Sequence, residues 1–179
     1  MNLQNFIRVY DNVVSPDICA KIIGEFENNV SHVEKHDTDL YKFNQLNLNS
    51  VPELQDLANA YIGSLIPYYE DYFKSLNMSQ YVELTGYEHV RVKKYLKNSD
   101  DEFKAHVDVA DKTTAVRYLV SILYLNDNNG VTEFPHLGMA VLPRAGRLVV
   151  FPPMWMFPHS GNKPTDNDKY IMMTCLHYT

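Results

Sequence analysis

The residues of this sequence best suited to chemistry include a histidine and an aspartate two positions apart, His106 and Asp108. They fall within a predicted strand over residues 103–109, and alternate residues of a strand point to the same face. An imidazole nitrogen and a carboxylate oxygen would then converge on one point, as two ligands of a small divalent metal must. The pair is a weak signal alone, because a surface strand with two polar residues has the same pattern.

A second histidine, His159, follows in a Phe-Pro-His-Ser-Gly segment just after a predicted strand over residues 147–151. Two histidines and one carboxylate that leave the other coordination positions open form the facial triad of non-haem Fe(II) oxygenases. Such a site holds the metal through half of its coordination sphere and leaves the rest for a cosubstrate and dioxygen. Taken by itself, His159 reads as a loop histidine.

A lysine, Lys169, begins the last predicted strand, where alternation gives it the same face as Ile171, Met173 and Cys175. If that face is interior, the buried ammonium group requires an anionic partner. A cosubstrate carboxylate would supply it. The alternative is a lysine at an exposed strand end.

The elements that must position these residues begin with a short predicted strand over residues 6–14. A first helix follows, because Ser15 can cap it, Pro16 suits its first turn and Asp17 complements its dipole. This helix is expected to end near residues 28–29.

A second and longer helix is predicted from a capping box of Ser50 and Glu53 and an apolar stripe over residues 54–76. Pro67 is expected to kink this helix or split it. Four of the chain's 13 tyrosines lie in the stripe and are expected to pack in the core with their hydroxyls at its rim: Tyr61, Tyr68, Tyr69 and Tyr72.

After Gly86 the apolar period becomes two, and turns rich in Asn, Asp, Gly and Pro separate short strands. The predicted strands cover residues 87–96, 103–109, 116–125, 132–134, 139–142, 147–151 and 169–177, with one more near residues 40–46. Helices followed by many short strands favour a mainly β sandwich or barrel supported by helices. No linker is evident, so one domain is expected.

The composition excludes some function classes. The chain has 22 Asp and Glu against 16 Lys and Arg, a formal net charge of −6, and this argues against a nucleic-acid partner, which requires a basic surface. Two cysteines do not make a disulfide framework, so a cytoplasmic location is expected. No signal-peptide pattern and no apolar run of spanning length is present, so no membrane partner is expected. The oligomeric state stays open.

Taken in order, these motifs make the second half of the chain resemble the prolyl 4-hydroxylase-like branch of the Fe(II)/2-oxoglutarate-dependent dioxygenases. The resemblance covers residues 86–178, and the preceding segment fits as the strand and helices that usually come before such a core. The residues that carry it are Tyr95, His106-x-Asp108, Tyr124-Leu125-Asn126, Gly130-Val131-Thr132-Glu133-Phe134, Pro143-Arg144-Ala145-Gly146-Arg147, Phe151, His159-Ser160-Gly161 and Lys169-Tyr170.

The resemblance implies a mainly β (α+β) fold, a double-stranded β-helix or jelly-roll with N-terminal helices packed on one sheet. It implies a single dioxygenase domain over residues 1–179, with the supporting strand and helices in residues 1–85 and the core with its metal site in residues 86–179. The residues implied to bind Fe(II) and serve catalysis are His106, Asp108 and His159. Those implied to contact 2-oxoglutarate are Lys169, through an ion pair with the far carboxylate, and the hydroxyl-bearing Tyr95, Tyr124 and Thr132. An ordinary core tyrosine is the alternative at position 124.

Two positions depart from the family pattern. Val131 replaces the second of two glycines that usually precede the threonine, which leaves Thr132 in place. Cys175 replaces a tryptophan that often lines the cosubstrate pocket, so this wall is expected to be thinner or more oxidisable. Neither departure touches an implied metal ligand.

The substrate is less defined by the sequence. The apolar, proline-rich residues 152–158 read either as a lid that offers Trp155 to a substrate or as a buried segment that closes the barrel. Three cations could contact an anionic substrate, although solvated strand side chains are favoured for each: Arg91, Lys93 and Arg117.

The expected activity is hydroxylation of an aliphatic C–H bond, with peptidyl proline as the first substrate hypothesis. Fe(II), 2-oxoglutarate and dioxygen would be required, and ascorbate is expected to keep the iron reduced. The alternatives are a hydroxylase of a free amino acid or other small molecule, and a metal-binding β-helix module without turnover. A buried Lys169 disfavours the last, because such a module has no carboxylate to pair with it.

Overall fold

Antiparallel strands dominate the computed structural model of the chain, which describes residues 2–82 and 86–179. Residues 83–85, at the predicted boundary between the supporting segment and the core, lie outside the described part. Among the described residues, no helix has both the length and the apolar character that crossing a membrane requires.

The chain enters the fold through a short strand and a helix. Strand β1, Arg8–Tyr10, is shorter than the predicted strand over residues 6–14, because a 3-10 turn occupies Leu3–Phe6. Helix α1 spans Pro16–Asn28. The Ser15 side chain accepts a hydrogen bond from a backbone N–H of the first turn, as the sequence predicts.

Helix α2, Gln55–Ser75, is the long helix predicted from the apolar stripe, but it begins later than the capping box indicates. Ser50 instead ends one 3-10 turn and Pro52–Leu54 forms another, so the prediction of a Ser50 cap is wrong. Pro67 lies inside a continuous helix, so the predicted split does not occur. A proline removes one backbone hydrogen bond, and burial of the stripe on both sides of it outweighs that loss.

The remaining described strands pair antiparallel in one curled path. They are β2 Glu34–Asp37, β3 Tyr41–Asn47, β4 Gly86–Tyr87, β5 Arg91–Tyr95, β6 Glu102–His106, β7 Arg117–Tyr124, β8 Thr132–Phe134, β9 Met139–Val141, β10 Leu148–Phe151, β11 His159–Gly161 and β12 Lys169–His177. Neighbours follow the order β1-β10-β7-β12-β5-β3-β6-β11-β8-β9, with β2 on β3 and β4 on β12. The path forms a nearly closed barrel, which confirms the predicted jelly-roll. Neither β2 nor β11 is predicted from the sequence, because both are short and lack apolar alternation.

Two apolar clusters divide the core according to the face of the sheet. On β7, Leu119 and Leu123 join the cluster beneath the helices, whereas Val120 and Ile122 join the cluster inside the barrel. Helices α1 and α2 cover the first face, as the resemblance implies. The interior of the barrel is therefore left free to carry a site.

The tyrosines of α2 reach further into the sheet than expected. The Tyr61 hydroxyl donates to the Met172 carbonyl at 3.1 Å, and the Tyr69 hydroxyl lies 2.7 Å from the Ser121 hydroxyl. Both hydroxyl groups are buried, so the prediction that they lie at the rim is wrong. These bonds fix α2 to β12 and β7, two strands that also line the barrel interior.

Candidate active site

Three side chains that could hold a metal meet where β6 and β11 pair. His106 ends β6 and His159 begins β11, and the two are directly opposite in the antiparallel register. Asp108 lies just past β6, where its backbone N–H donates to the Pro153 carbonyl. Its Oδ1 is 3.5 Å from His106 Nε2, and its Oδ2 is 3.4 Å from His159 Nε2. The three ligand atoms all lie within 4.8 Å of one another, a spacing that suits one divalent cation.

A β-bulge shapes the β6 side of this cluster. His159 pairs with His106 but Gly161 pairs with Phe103, so β6 carries one extra residue over this stretch. A bulge re-aims the side chains on either side of it. The Phe103 ring therefore stacks on the His106 ring, with centroids 3.5 Å apart and planes 5° apart. Sequence alternation puts these two residues on opposite faces, which is why Phe103 is not predicted as a site residue.

Backbone carbonyls set the orientation of both imidazoles. The His106 Nδ1 lies 2.8 Å from the Lys104 carbonyl and the His159 Nδ1 lies 3.2 Å from the Phe157 carbonyl. Because a carbonyl only accepts, each Nδ1 carries the proton of this contact, which leaves Nε2 as the atom available to a metal. Burial lowers the pKa of His159 to about 4, so this ring is neutral at pH 7.

The Asp108 carboxylate fits a cation rather than another protein group. Its Oδ2 is buried and has no hydrogen-bond partner among the described residues, and an uncompensated buried charge is strongly unfavourable. Burial by itself raises the pKa of Asp108, but the nearby His106, His159 and Lys93 outweigh burial and lower it. One carboxylate and two imidazoles are the donor set of a non-haem Fe(II) site.

Lys169 lies at the inner end of the same interior. It is 1% exposed, and its Nζ donates to the Gly130 carbonyl at 2.9 Å and the Asn162 carbonyl at 3.2 Å. The ammonium also lies 4.7 Å from the Tyr95 ring centroid. No carboxylate pairs with it in the described part of the chain, and burial lowers the pKa of Lys169 to about 7. The alternative of an exposed strand end is therefore wrong.

One narrow pocket brings most of the predicted site residues together. It is lined by the three candidate metal ligands and by Tyr95, Thr132 and Lys169. Tyr124 is fully buried behind this wall, and its hydroxyl donates to the Thr132 Oγ1 at 2.7 Å. Tyr124 therefore reaches the pocket only through Thr132.

Comparison with known proteins identifies the domain. Residues 90–177, which include the triad and Lys169, match the family model described as the 2OG-Fe(II) oxygenase superfamily. These residues are a 2OG-Fe(II) oxygenase domain. The chain is thereby a 2-oxoglutarate-dependent dioxygenase that uses Fe(II), 2-oxoglutarate and dioxygen. No curated protein sequence matches the chain closely enough to count as a relative.

Solved structures similar to the chain include three prolyl hydroxylases. The viral collagen prolyl hydroxylase of Paramecium Bursaria Chlorella virus-1, solved with 2OG, has a TM-score of 0.71 at 16% identity over 95% of this chain and 94% of that one. The Pseudomonas putida prolyl-4-hydroxylase has a TM-score of 0.70 at 14% identity over 97% and 93%. A Trichoplax adhaerens prolyl hydroxylase, in complex with a hypoxia inducible factor peptide fragment, has a TM-score of 0.70 at 15% identity over 97% and 84%. At these identities the likeness shows a shared fold.

An arginine supports the carboxylate ligand of the oxygenase domain. The Arg117 Nη1 donates to the Asp108 carbonyl at 2.9 Å, while its Nε and Nη2 bind the Glu88 carboxylate. Arg91 binds the same Glu88 at 3.3 Å. Both arginines are mostly buried in this ion-paired group, so the prediction of solvated strand side chains is wrong for them.

We expect Arg117→Gln to weaken Fe(II) affinity about tenfold, because outer groups that orient a metal ligand typically contribute 10–100-fold. Arg91→Gln is the matched control, since it removes the same charge from the same Glu88 without a contact to Asp108. It should leave the affinity nearly unchanged. Anaerobic calorimetric titration with Fe(II) measures both variants, and equal losses would contradict a positioning role for Arg117.

The apolar residues 152–158 are buried at some positions and exposed at others. Phe157 is 1% exposed within the barrel core, whereas Trp155 is 74% exposed. The Pro153 carbonyl accepts the hydrogen bond from Asp108, so this segment also holds a candidate metal ligand. The buried crossing segment is confirmed at Phe157, and the lid that offers Trp155 to a substrate stays a prediction.

Cys175, at the position where the resemblance leads one to expect tryptophan, is buried and is not among the residues that line this pocket. Burial raises the pKa of the Cys175 thiol far above its ordinary value. A buried, protonated thiol is a poor nucleophile, which argues against an easily oxidised wall.

A groove of about 210 Å³ adjoins the pocket and shares Lys93, Phe103, Asp108 and Met173 with it. Its other wall comes from β2, β3 and the neighbouring loops. Lys93 is only 7% exposed, so the prediction of a solvated side chain is wrong here as well. Burial lowers the pKa of Lys93 to about 8, although the charge of Asp108 raises it.

Proposed function

We propose that this dioxygenase hydroxylates an aliphatic C–H bond and that its substrate is a peptidyl proline held in the groove. The observation that carries the oxygenase chemistry is a buried carboxylate between the Nε2 atoms of two imidazoles. They share one pocket with a buried lysine that has no acid partner among the described residues. Three similar structures, all of them prolyl hydroxylases and one in complex with a peptide, support the peptidyl proline.

Fe(II), when bound, supplies the oxidation: 2-oxoglutarate and dioxygen give succinate, carbon dioxide and one oxygen atom for the substrate. His106, Asp108 and His159 would hold it with three donors on one side. The Nδ1–H of each histidine and the backbone N–H of Asp108 already donate to backbone carbonyls. The donor atoms are therefore preorganised, and binding the metal requires little rearrangement of the chain.

Lys169 would bind the far carboxylate of 2-oxoglutarate. Its two carbonyl acceptors point the ammonium in a fixed direction, and the Tyr95 ring covers one side of it. An ammonium has three donors, so one N–H is left for the carboxylate. A charge-assisted bond in a dry pocket is strong.

Thr132 would add a second donor for 2-oxoglutarate. Its Oγ1 already accepts the proton of Tyr124, so its own O–H is free to donate into the pocket that it lines. Tyr124 is thus a positioning residue for Thr132. The rest of the pocket wall is largely apolar, and it would exclude water from the reacting groups: Val120, Ile122, Ile171 and Met173.

Two other functions follow from the same site. A free amino acid or other small molecule is the second candidate substrate, and the cationic side chains at the groove favour it. A metal-binding module without turnover is disfavoured, because Lys169 would then keep a buried charge that lowers stability and serves no ligand.

An anaerobic titration with Fe(II) and 2-oxoglutarate tests the proposed function. We expect a visible charge-transfer absorption band that needs both components, and its absence would contradict the proposed Fe(II) and 2-oxoglutarate site. Peptides that contain proline, matched to the same peptides with alanine in its place, then test the substrate. Succinate release should exceed the substrate-free background only with the proline peptides, and equal release from both sets would contradict peptidyl proline.

A further inference from the structure

A second buried lysine faces the site from β5. Lys93 is 7% exposed, and within residues 2–82 and 86–179 no side chain or carbonyl gives it a hydrogen bond or an ion pair. Its ammonium contacts two aromatic faces instead, 4.3 Å from the Phe43 centroid and 5.4 Å from the Phe103 centroid. A cation this deeply buried requires an anion to be favourable.

The two aromatic contacts place the Lys93 ammonium close to the metal ligands. Phe103 stacks directly on the ring of His106, and Lys93 lines both the pocket and the adjoining groove. The ammonium therefore lies where the pocket opens into the groove. A molecule that enters from the groove meets it on the way to the metal.

The other charges around the groove do not neutralise Lys93. Arg91 and Arg117 already share the single Glu88 carboxylate. Asp108 faces the two imidazoles, and its carboxylate would bind the metal rather than Lys93. With Fe(II) bound, the groove thus keeps an excess of positive charge, and Lys93 is its unpaired member.

The register separates this lysine from the one that would bind 2-oxoglutarate. Lys169 is opposite Tyr95 on the β5–β12 pair, and Ile171 is opposite Lys93. The two lysines thus share one face of adjacent strands and are offset by two residues, about 7 Å along the strands. This offset favours two separate anion sites over one shared site.

We propose that Lys93 binds a carboxylate of the organic substrate and so selects an acidic substrate for this dioxygenase. The inference rests on the proposed function and specifies its substrate class. A carboxylate held at Lys93 lies a few bonds from the carbon that faces the metal. It belongs either to a small free acid, such as an amino acid, or to an acidic side chain beside the reacting residue of a peptide.

Two pairs of probes differ only in this carboxylate. The first pair is L-proline and L-prolinamide, and the second is a blocked Pro-Asp peptide and its Pro-Asn counterpart. Binding is read from the change that each probe causes in the anaerobic absorption band of the Fe(II)–2-oxoglutarate complex, which does not depend on turnover. In the wild-type protein we expect the acid of at least one pair to bind about tenfold tighter than its amide, the usual strength of a hydrogen bond to a charged group. A preference in the first pair identifies a free acid, and one in the second identifies an acidic peptide.

The lysine is tested by two replacements. Lys93→Met fills the same space without charge and should lose the preference while keeping the band. Lys93→Arg keeps the charge and should keep the preference. The inference is overturned if the wild-type protein shows no preference in either pair, if Lys93→Met retains it, or if Lys93→Met loses the band, which would make Lys93 a cosubstrate ligand. A wild-type protein without any band contradicts the proposed function itself and, with it, this inference.

Discussion

Replacing Asp108 with alanine is expected to abolish Fe(II) binding and 2-oxoglutarate turnover while lowering the stability of the metal-free protein only modestly. Within the part of the chain that the structure describes, Asp108 is the only carboxylate of the candidate metal cluster, and its Oδ2 has no hydrogen-bond partner there. The loss of affinity should exceed about 100-fold, the upper end of the effect of losing an outer supporting group. Burial alone raises the pKa of Asp108, but His106, His159 and Lys93 lower it overall. These neighbours therefore stabilise its charge in the folded state, and the alanine variant should lose some stability at pH 7.

Anaerobic calorimetry and thermal unfolding of the metal-free protein measure these two effects. Asp101→Ala is the control: its carboxylate accepts the Leu96 backbone N–H at 2.9 Å and belongs to no metal cluster. That variant should lose stability and keep Fe(II) binding. If Asp108→Ala instead unfolds the metal-free protein, Asp108 is a structural residue and the ligand assignment fails.

Lys169→Met is expected to stabilise the protein that has no ligand and to weaken 2-oxoglutarate binding strongly. The folded-state pKa of Lys169, about 7, lies below its ordinary value of 10.5 because of burial. Between those two pH values the unfolded chain binds the proton and the folded chain does not, so the wild-type protein gains stability from this group as pH rises above 7. Below pH 7 the full penalty applies. The methionine variant should therefore be more stable there by about 1–3 kcal/mol, with a flatter dependence on pH.

The same lysine should make 2-oxoglutarate binding depend on pH. Only the protonated form attracts the carboxylate, so the dissociation constant should be level below pH 7 and rise about tenfold per pH unit above it. Lys169→Arg stays protonated and should show a flatter profile, whereas Lys169→Met should bind about 100-fold more weakly at pH 6. Titration of the anaerobic absorption band measures all three proteins. A methionine variant with unchanged affinity would exclude Lys169 as the carboxylate anchor.

The parts of the site that the sequence predicts depend on local geometry. Alternation along a strand puts Lys169 on one face with Ile171, and the ordered motifs from His106 to Lys169 carry the family resemblance that implies the jelly-roll. The structure brings the three candidate ligands together and places Lys169 in the same pocket. Helix α2 is predicted for a similar reason, because its apolar stripe repeats at helical spacing over five turns.

The start of α2 and the Phe103–His106 stack are less accessible to sequence reasoning. A capping box at Ser50 competes with two 3-10 turns that pack against the sheet, and the packing decides where the helix begins. The β6 bulge shifts the register of β6 against β11 by one residue. The bulge depends on how the two strands pair, which neither strand's sequence gives by itself.

The sequence alone thus determined the fold class, the candidate metal ligands and the lysine that shares their pocket, because alternation specifies which residues share a face and the ordered motifs carry the family resemblance. Only the tertiary structure decided what covers that face. Lys93 lies on the same face of β5 as Tyr95, and a lysine on that face could be solvated or buried. It is buried because Phe43 on β3 and Phe103 on β6 close over its ammonium. The apolar period of one strand carries no information about the strands that pack across it. A lysine predicted to be solvated is therefore a buried cation beside the site, without a hydrogen bond or ion pair among the described residues.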